Sequence, residues 1–127
     1  NGAAGSKVEI SLFVDPNPDD IQGAIELGSD AIELHTGTYA NASTPSVAQA
    51  ELNRLATAAK MAHAAGLKVN AGHGLNQKNL APFLRAVPHI ADISIGHALI
   101  SEAVFHGLAN TVQAYMTIIE QVKEEQR

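Results

Sequence analysis

Four short apolar segments, each followed by a segment with helical spacing of apolar residues, constrain the fold of this chain most strongly. The predicted strands cover residues 7–14, 30–36, 68–72 and 91–95. Alternation of strands and helices is typical of parallel strands joined by right-handed crossovers. We therefore predict an α/β fold with a parallel four-stranded sheet, in one domain over residues 1–127.

Local signals mark where the helices begin and end. Asn17 is a predicted cap, with Pro18 at the first helical position and Gly28 just past the end. A long helix is predicted from Pro45 to residue 65, ended by Gly66, and further helices over 79–87, 97–105 and 108–126. Residues 37–44 are predicted as a polar connection. The long helix has a predicted apolar face, formed by Val47, Ala50, Leu55, Ala58, Met61, Ala62 and Ala65.

Two architectures accommodate four such units. An open, doubly wound sheet has helices on both faces, and its strands are apolar on both sides. Half of a (β/α)8 TIM barrel has helices outside and leaves inward positions for polar side chains. Glu33, His35, Asn70 and Ser94 interrupt the predicted strands with polar groups. This pattern favours the half-barrel.

Composition excludes several classes of function. The net charge of −5 and the lack of Lys/Arg runs argue against a nucleic-acid partner. The absence of cysteine excludes disulfides and thiolate metal sites, and it fits a reducing compartment. No apolar stretch approaches the length of a membrane span, and no signal peptide opens the sequence. We expect a cytoplasmic protein without a membrane partner. Because the chain starts at Asn1, we also expect it to be a piece of a longer protein.

Glycine and histidine recur where the predicted strands end. His73 lies between two glycines after the third strand, and Gly96 and His97 follow the fourth. Glycine lets backbone N–H groups approach an anion closely, and histidine and glutamate carry protons near neutral pH. Since parallel strands end at the same edge, these residues and Glu33 predict one site for acid–base chemistry on a phosphorylated molecule.

Each candidate also has a purely structural interpretation. Glu33 is also explained by a salt bridge, and His73 by packing in the core. His35 lies on the same side of its strand as Glu33, as a hydrogen-bond partner or as a packing residue. A zinc site made of His35, His73 and His97 is a further alternative. The other histidines are expected at the surface or at an interface: His63, His89 and His106.

Four segments in this order and at these intervals resemble the pyridoxine 5′-phosphate synthase family. They are residues 8–15, 32–40, 66–75 and 95–100. The resemblance covers nearly the whole chain but only the C-terminal half of the family's barrel, strands five to eight. It implies that the chain is the C-terminal half-barrel, that this segment alone is inactive, and that the complete enzyme is a homo-octamer.

The resemblance also implies a reaction. The family condenses 1-deoxy-D-xylulose 5-phosphate with 3-amino-2-oxopropyl phosphate to pyridoxine 5′-phosphate, releasing phosphate and water, in vitamin B6 biosynthesis. It implies that Glu33 stabilises intermediates, that His73 donates a proton, and that Gly74, Gly96 and His97 contact phosphate. No metal or other cofactor is implied. Two other functions stay open: a non-enzymatic phosphate-binding half-barrel, and a different phosphate-handling barrel enzyme.

Overall fold

Four parallel strands form the sheet in the order in which they occur along the chain. The computed structural model describes residues 8–127. The strands are β1 (Ser11–Val14), β2 (Ala31–His35), β3 (Lys68–Gly72) and β4 (Ile90–Ser94), in the order β1-β2-β3-β4. The predicted parallel α/β sheet is confirmed. The first strand begins later than predicted, at Ser11, and Lys7 lies outside the described residues.

Six helices connect and follow the strands in the described part of the chain. They are α1 (Pro18–Glu26), α2 (Gly37–Ala40), α3 (Pro45–Ala64), α4 (Leu80–Ala86), α5 (His97–His106) and α6 (Leu108–Glu125). The predicted cap is confirmed, because the Asn17 side chain accepts a hydrogen bond from the Asp20 amide at 2.9 Å. Within residues 8–127, none of the helices is long and apolar enough to cross a bilayer.

The two faces of the sheet differ in their surroundings. On one face Ile32, Leu34 and Val69 are buried, and they belong to one apolar core with Leu55 of α3 and Phe83 of α4. On the other face no helix of residues 8–127 covers the strands, and Phe13 remains 58% exposed. Alternating side chains along each strand produce this division. The described residues thus have helices on one face of the sheet, whereas an open, doubly wound sheet has them on both.

The uncovered face, called the inner face below, carries polar side chains in register. Phe13, Glu33, Asn70 and Asp92 lie side by side across the four strands. Lys68, two residues before Asn70 in β3, forms an ion pair through its Nζ with Asp92 Oδ2 at 2.6 Å. These polar residues explain why the strand sequences are less apolar than those of a sheet buried on both faces.

Two predictions about the helices are wrong in detail. Residues 37–44 are not a plain connection, since α2 forms there and buries Tyr39, whose hydroxyl donates to the Asn79 carbonyl at 2.8 Å. Burial raises the pKa of Tyr39. The apolar face predicted for the long helix is also wrong in part, since three of its residues are exposed and two apolar residues outside it are buried. The exposed residues are Val47, Ala50 and Ala65, and the buried ones are Leu52 and Ala59. The buried residues share one stripe with Leu55 and Ala62, and the exposed ones lie beside it.

Candidate functional site

A cleft of about 1000 Å³ opens at the carboxyl ends of the strands. All five residues predicted for the site line this cleft: Glu33, His73, Gly74, Gly96 and His97. The other lining residues are Phe13, Asn41, Leu75, Asn76, Ile93, Ser94, Ile95 and Ala98. A smaller apolar hollow of about 280 Å³ lies between the start of α1 and α3, and it contains none of the predicted residues. The strand-end cleft is therefore the candidate site.

Glu33 enters the cleft from the inner face of β2. Its carboxylate lies against Gly72, because a Cβ atom at Gly72 would overlap Glu33 Oε1. Among residues 8–127, the ion pairs of the structure do not include Glu33. The salt-bridge interpretation of Glu33 therefore has no support within the described chain. A half-buried carboxylate that faces a cleft is suited to interact with a cationic group of a bound molecule.

His73 has an unusual backbone conformation, with a φ of 85°. The buried Thr36 holds this turn: its hydroxyl lies 2.7 Å from the Gly72 carbonyl oxygen and 2.6 Å from that of His73. A positive φ costs energy in a residue with a side chain, and it persists where the surroundings fix it. The side chain of His73 is exposed at the cleft. Its interpretation as a packed core residue is wrong.

Backbone N–H groups at the start of α5 line the cleft beside β4. The first hydrogen bond within α5 runs from the Ile100 amide to the Gly96 carbonyl at 3.0 Å. The amides of His97, Ala98 and Leu99 thus have no partner inside the helix, which is the usual state of a helix start. Together with the helix dipole, such amides favour a bound anion. Gly96 leaves this end open, since a Cβ atom there would meet nothing within 4 Å.

The three histidines of the alternative zinc site do not form one. His35 Nδ1 pairs with Asp15 Oδ1 at 2.9 Å, and its ring packs against that of His73 with centroids 5.1 Å apart. In the part of the chain that the structure describes, no three His, Cys, Asp or Glu side chains are grouped to hold a metal ion. The remaining histidines, His63, His89 and His106, are exposed as predicted.

Three residues that support the site without lining the cleft were not predicted from the sequence. Asp15 anchors His35, Thr36 fixes the turn at His73, and Gly37 lets the two imidazole rings approach. A Cβ atom at Gly37 would lie 2.5 Å from His35 Nε2 and 2.9 Å from His73 Cδ2. The glycine after a strand was a visible signal, but nothing in the sequence linked Asp15 to His35.

Comparison with known proteins agrees with the resemblance drawn from the residues. The family described as "Pyridoxal phosphate biosynthesis protein PdxJ" matches residues 2–121. A protein of Xanthomonas oryzae pv. oryzae named pyridoxine 5′-phosphate synthase is 52% identical over 117 residues, which are 92% of this chain and 45% of that protein. A protein of the same name from Xylella fastidiosa is 49% identical over 113 residues, covering 89% of this chain and 44% of the relative.

A third relative, from Xanthomonas axonopodis pv. citri, also has this name, and it is 53% identical over 115 residues. The match covers 91% of the present chain and 44% of that relative. The chain thus spans less than half the length of the curated relatives that it matches. The family match extends over nearly all of its residues, and the chain belongs to the pyridoxal phosphate biosynthesis protein PdxJ family.

Proposed function

We propose that this chain is the C-terminal half of a (β/α)8 barrel and carries part of the active site of a pyridoxine 5′-phosphate synthase. The observation that carries the proposal is the convergence of Glu33, His73, Gly74, Gly96 and His97 on one cleft. The names of the relatives support the same reaction. The uncovered inner face, with polar side chains in register, supports a barrel that a second half completes.

The substrates are 1-deoxy-D-xylulose 5-phosphate and 3-amino-2-oxopropyl phosphate, and the products include inorganic phosphate. A phosphate group binds at the start of α5, where the amides of His97 and Ala98, which have no partner inside the helix, and the open surface at Gly96 supply donors and space. At Gly74 the backbone can also approach a phosphate group closely, because this residue has no side chain. Its φ of 79° favours glycine.

The proton transfers use the other end of the cleft. Condensation of an amine with a ketone forms an imine and releases water, so protons move on and off nitrogen, oxygen and carbon. His73 donates a proton, since its exposed side chain lines the cleft on a turn that Thr36 fixes. Glu33 stabilises the cationic imine, since its carboxylate faces the cleft without an ion-pair partner among residues 8–127.

The enzyme acts in the cytoplasm, because both substrates are charged phosphate esters that do not cross bilayers freely. The complete protein assembles as a homo-oligomer, for which exposed apolar side chains of α5 offer contact area. These are Ile100, Val104 and Phe105.

The test compares complete barrels, with the second half supplied, that carry His73→Ala, Glu33→Ala or Glu33→Gln. We expect His73→Ala and Glu33→Ala to lower turnover about 10²- to 10⁴-fold, with small effects on the binding of the deoxyxylulose phosphate. Glu33→Gln keeps the shape but removes the charge, so it should be nearly as damaging as Glu33→Ala. A matched control is His63→Ala, which removes an exposed histidine that does not line the cleft.

Three results would contradict parts of this proposal. Near-normal turnover in His73→Ala would exclude its role as proton donor. Recovery of the rate in Glu33→Gln would assign Glu33 to positioning of the substrate. An unmodified barrel that binds phosphate but forms no pyridine product would favour the non-enzymatic or the different phosphate-handling barrel.

A further inference from the structure

Three consecutive strand ends bring an acid and two histidines into one row. Asp15 follows β1, His35 ends β2, and His73 follows β3. Asp15 Oδ1 accepts a hydrogen bond from His35 Nδ1–H at 2.9 Å, and the His35 ring meets the His73 ring almost at right angles, with an interplanar angle of 68°. The row therefore connects an exposed carboxylate to the proposed proton donor.

The hydrogen bond to Asp15 fixes the state of His35. A carboxylate only accepts hydrogen bonds, so His35 Nδ1 must carry the proton, and the neutral ring has its lone pair on Nε2. Phe13 packs on the same ring with centroids 5.2 Å apart, and this contact limits rotation of His35. The ring is 29% exposed, so solvent reaches only part of it.

Gly37 brings the two imidazoles together. A Cβ atom on Gly37 would lie within 3 Å of both His35 Nε2 and His73 Cδ2, so the two side chains cover the same face of this residue. The His35 ring thus packs against the His73 ring and limits its movement on that side. If His35 turned away, the space above Gly37 would open and His73 would gain rotational freedom.

We infer that His35, anchored by Asp15, is the positioning residue for His73. The inference rests on the proposed function, in which His73 donates a proton. Asp15 sets the tautomer and the orientation of His35, and His35 holds the His73 ring toward the substrate. Neither Asp15 nor His35 lines the cleft, so both act through His73. Carboxylate–histidine pairs orient metal-bound histidines by the same physics.

The experiment uses the complete barrel with Asp15→Asn, Asp15→Glu, His35→Gln and the control Asp19→Asn. Asp19 is an exposed acid in the first turn of α1 and tests the loss of one negative charge nearby. We expect Asp15→Asn and His35→Gln to lower kcat about 10- to 100-fold with little change in KM. Asp15→Glu should restore part of the rate, and Asp19→Asn should match the wild type.

A double-mutant cycle separates positioning from general damage. In a His73→Ala background, His35→Gln should cost no further turnover, because the residue through which it acts is gone. An additional tenfold loss in that background would overturn the inference. An unchanged kcat in His35→Gln, in a barrel where His73→Ala is damaging, would overturn it as well.

Imidazole ¹⁵N spectra test the same inference without the reaction. In the wild type, His35 should show a single tautomer with the proton on Nδ1. Asp15→Asn should mix the tautomers and shift the ring signals of His73, whereas Asp19→Asn should not. Unchanged His73 signals in Asp15→Asn would overturn the inference. If turnover survives His73→Ala while these signals shift as expected, the proposed function fails and the positioning contact stands.

Discussion

The carboxylate of Glu33 occupies the space that a side chain on Gly72 would fill. A Cβ atom at Gly72 would overlap Glu33 Oε1 and would lie 3.0 Å from Ser94 Cβ and 3.2 Å from the Ser94 carbonyl oxygen. The carboxylate can move, but the Ser94 backbone in the neighbouring strand cannot move without disturbing the sheet. Gly72 is thus required for the position of Glu33 and for the spacing of β3 and β4.

Gly72→Ala should therefore damage both stability and turnover of the complete barrel. We expect the free energy of unfolding to fall by about 1–3 kcal/mol, as for overpacked sites, and kcat to fall about 10²-fold because Glu33 is displaced. Urea unfolding and steady-state kinetics measure the two effects. Gly23→Ala is the matched control: nothing lies within 4 Å of its added Cβ, and in the middle of α1 it should stabilise by about 0.5–1 kcal/mol. An active, equally stable Gly72→Ala enzyme would contradict the geometry.

Gly96→Val tests the proposed phosphate position. The added side chain meets no protein atom near its Cβ, so the fold should tolerate it, while its methyl groups would stand where an anion approaches the amides of α5. We expect a large loss of inorganic phosphate affinity in titration calorimetry, and a smaller loss for His97→Ala, because backbone donors dominate. If Gly96→Val left the phosphate affinity untouched, the phosphate would have to bind elsewhere.

The sequence was sufficient to predict those features that depend on local signals. Asn17 and Pro18 start α1, and Gly66, with a φ of 85°, follows the end of α3. The location of the cleft also followed, because the ends of parallel strands must share one edge. What these predictions have in common is that each depends on a few neighbouring residues or on the order of the strands.

Long-range contacts explain what could not be predicted. Tyr39 donates to the carbonyl of Asn79, 40 residues away, and this contact accompanies the helix α2 in a segment of small polar residues. The pairing of Asp15 with His35 depends equally on the register of β1 and β2. Such contacts join residues that are distant in sequence, so no local spacing reports them.

The uncovered inner face predicts that residues 1–127 are not stable as a monomer. Phe13 is 58% exposed there, and on α5 Val104 and Phe105 are 77% and 84% exposed. Within residues 8–127, the outer strands β1 and β4 each have a neighbouring strand on one side only. We expect the isolated chain to self-associate, or to fold cooperatively only when the other half of the barrel is added. Analytical ultracentrifugation with thermal unfolding decides this, and a monomer with a cooperative transition would contradict it.

The contact between α4 and α6 should depend on pH. Arg85 donates two hydrogen bonds to the Glu125 carboxylate, from Nε at 2.7 Å and from the terminal nitrogen at 3.0 Å. This pairing lowers the pKa of Glu125 from its ordinary value of 4.5. Since the folded protein favours the charged carboxylate, the contribution of the pair to stability is present above about pH 4.5 and is lost as the pH falls through the lowered pKa.

Glu125→Gln should therefore lower the midpoint of urea unfolding of the complete barrel at neutral pH and have no effect at strongly acidic pH. The difference should be small and should shrink in high salt, because both side chains are half exposed. Glu124→Gln, on the neighbouring exposed position, is the control and should leave the midpoint unchanged at every pH. A difference between wild type and Glu125→Gln that stays constant from neutral to acidic pH would show that the ion pair is not its cause.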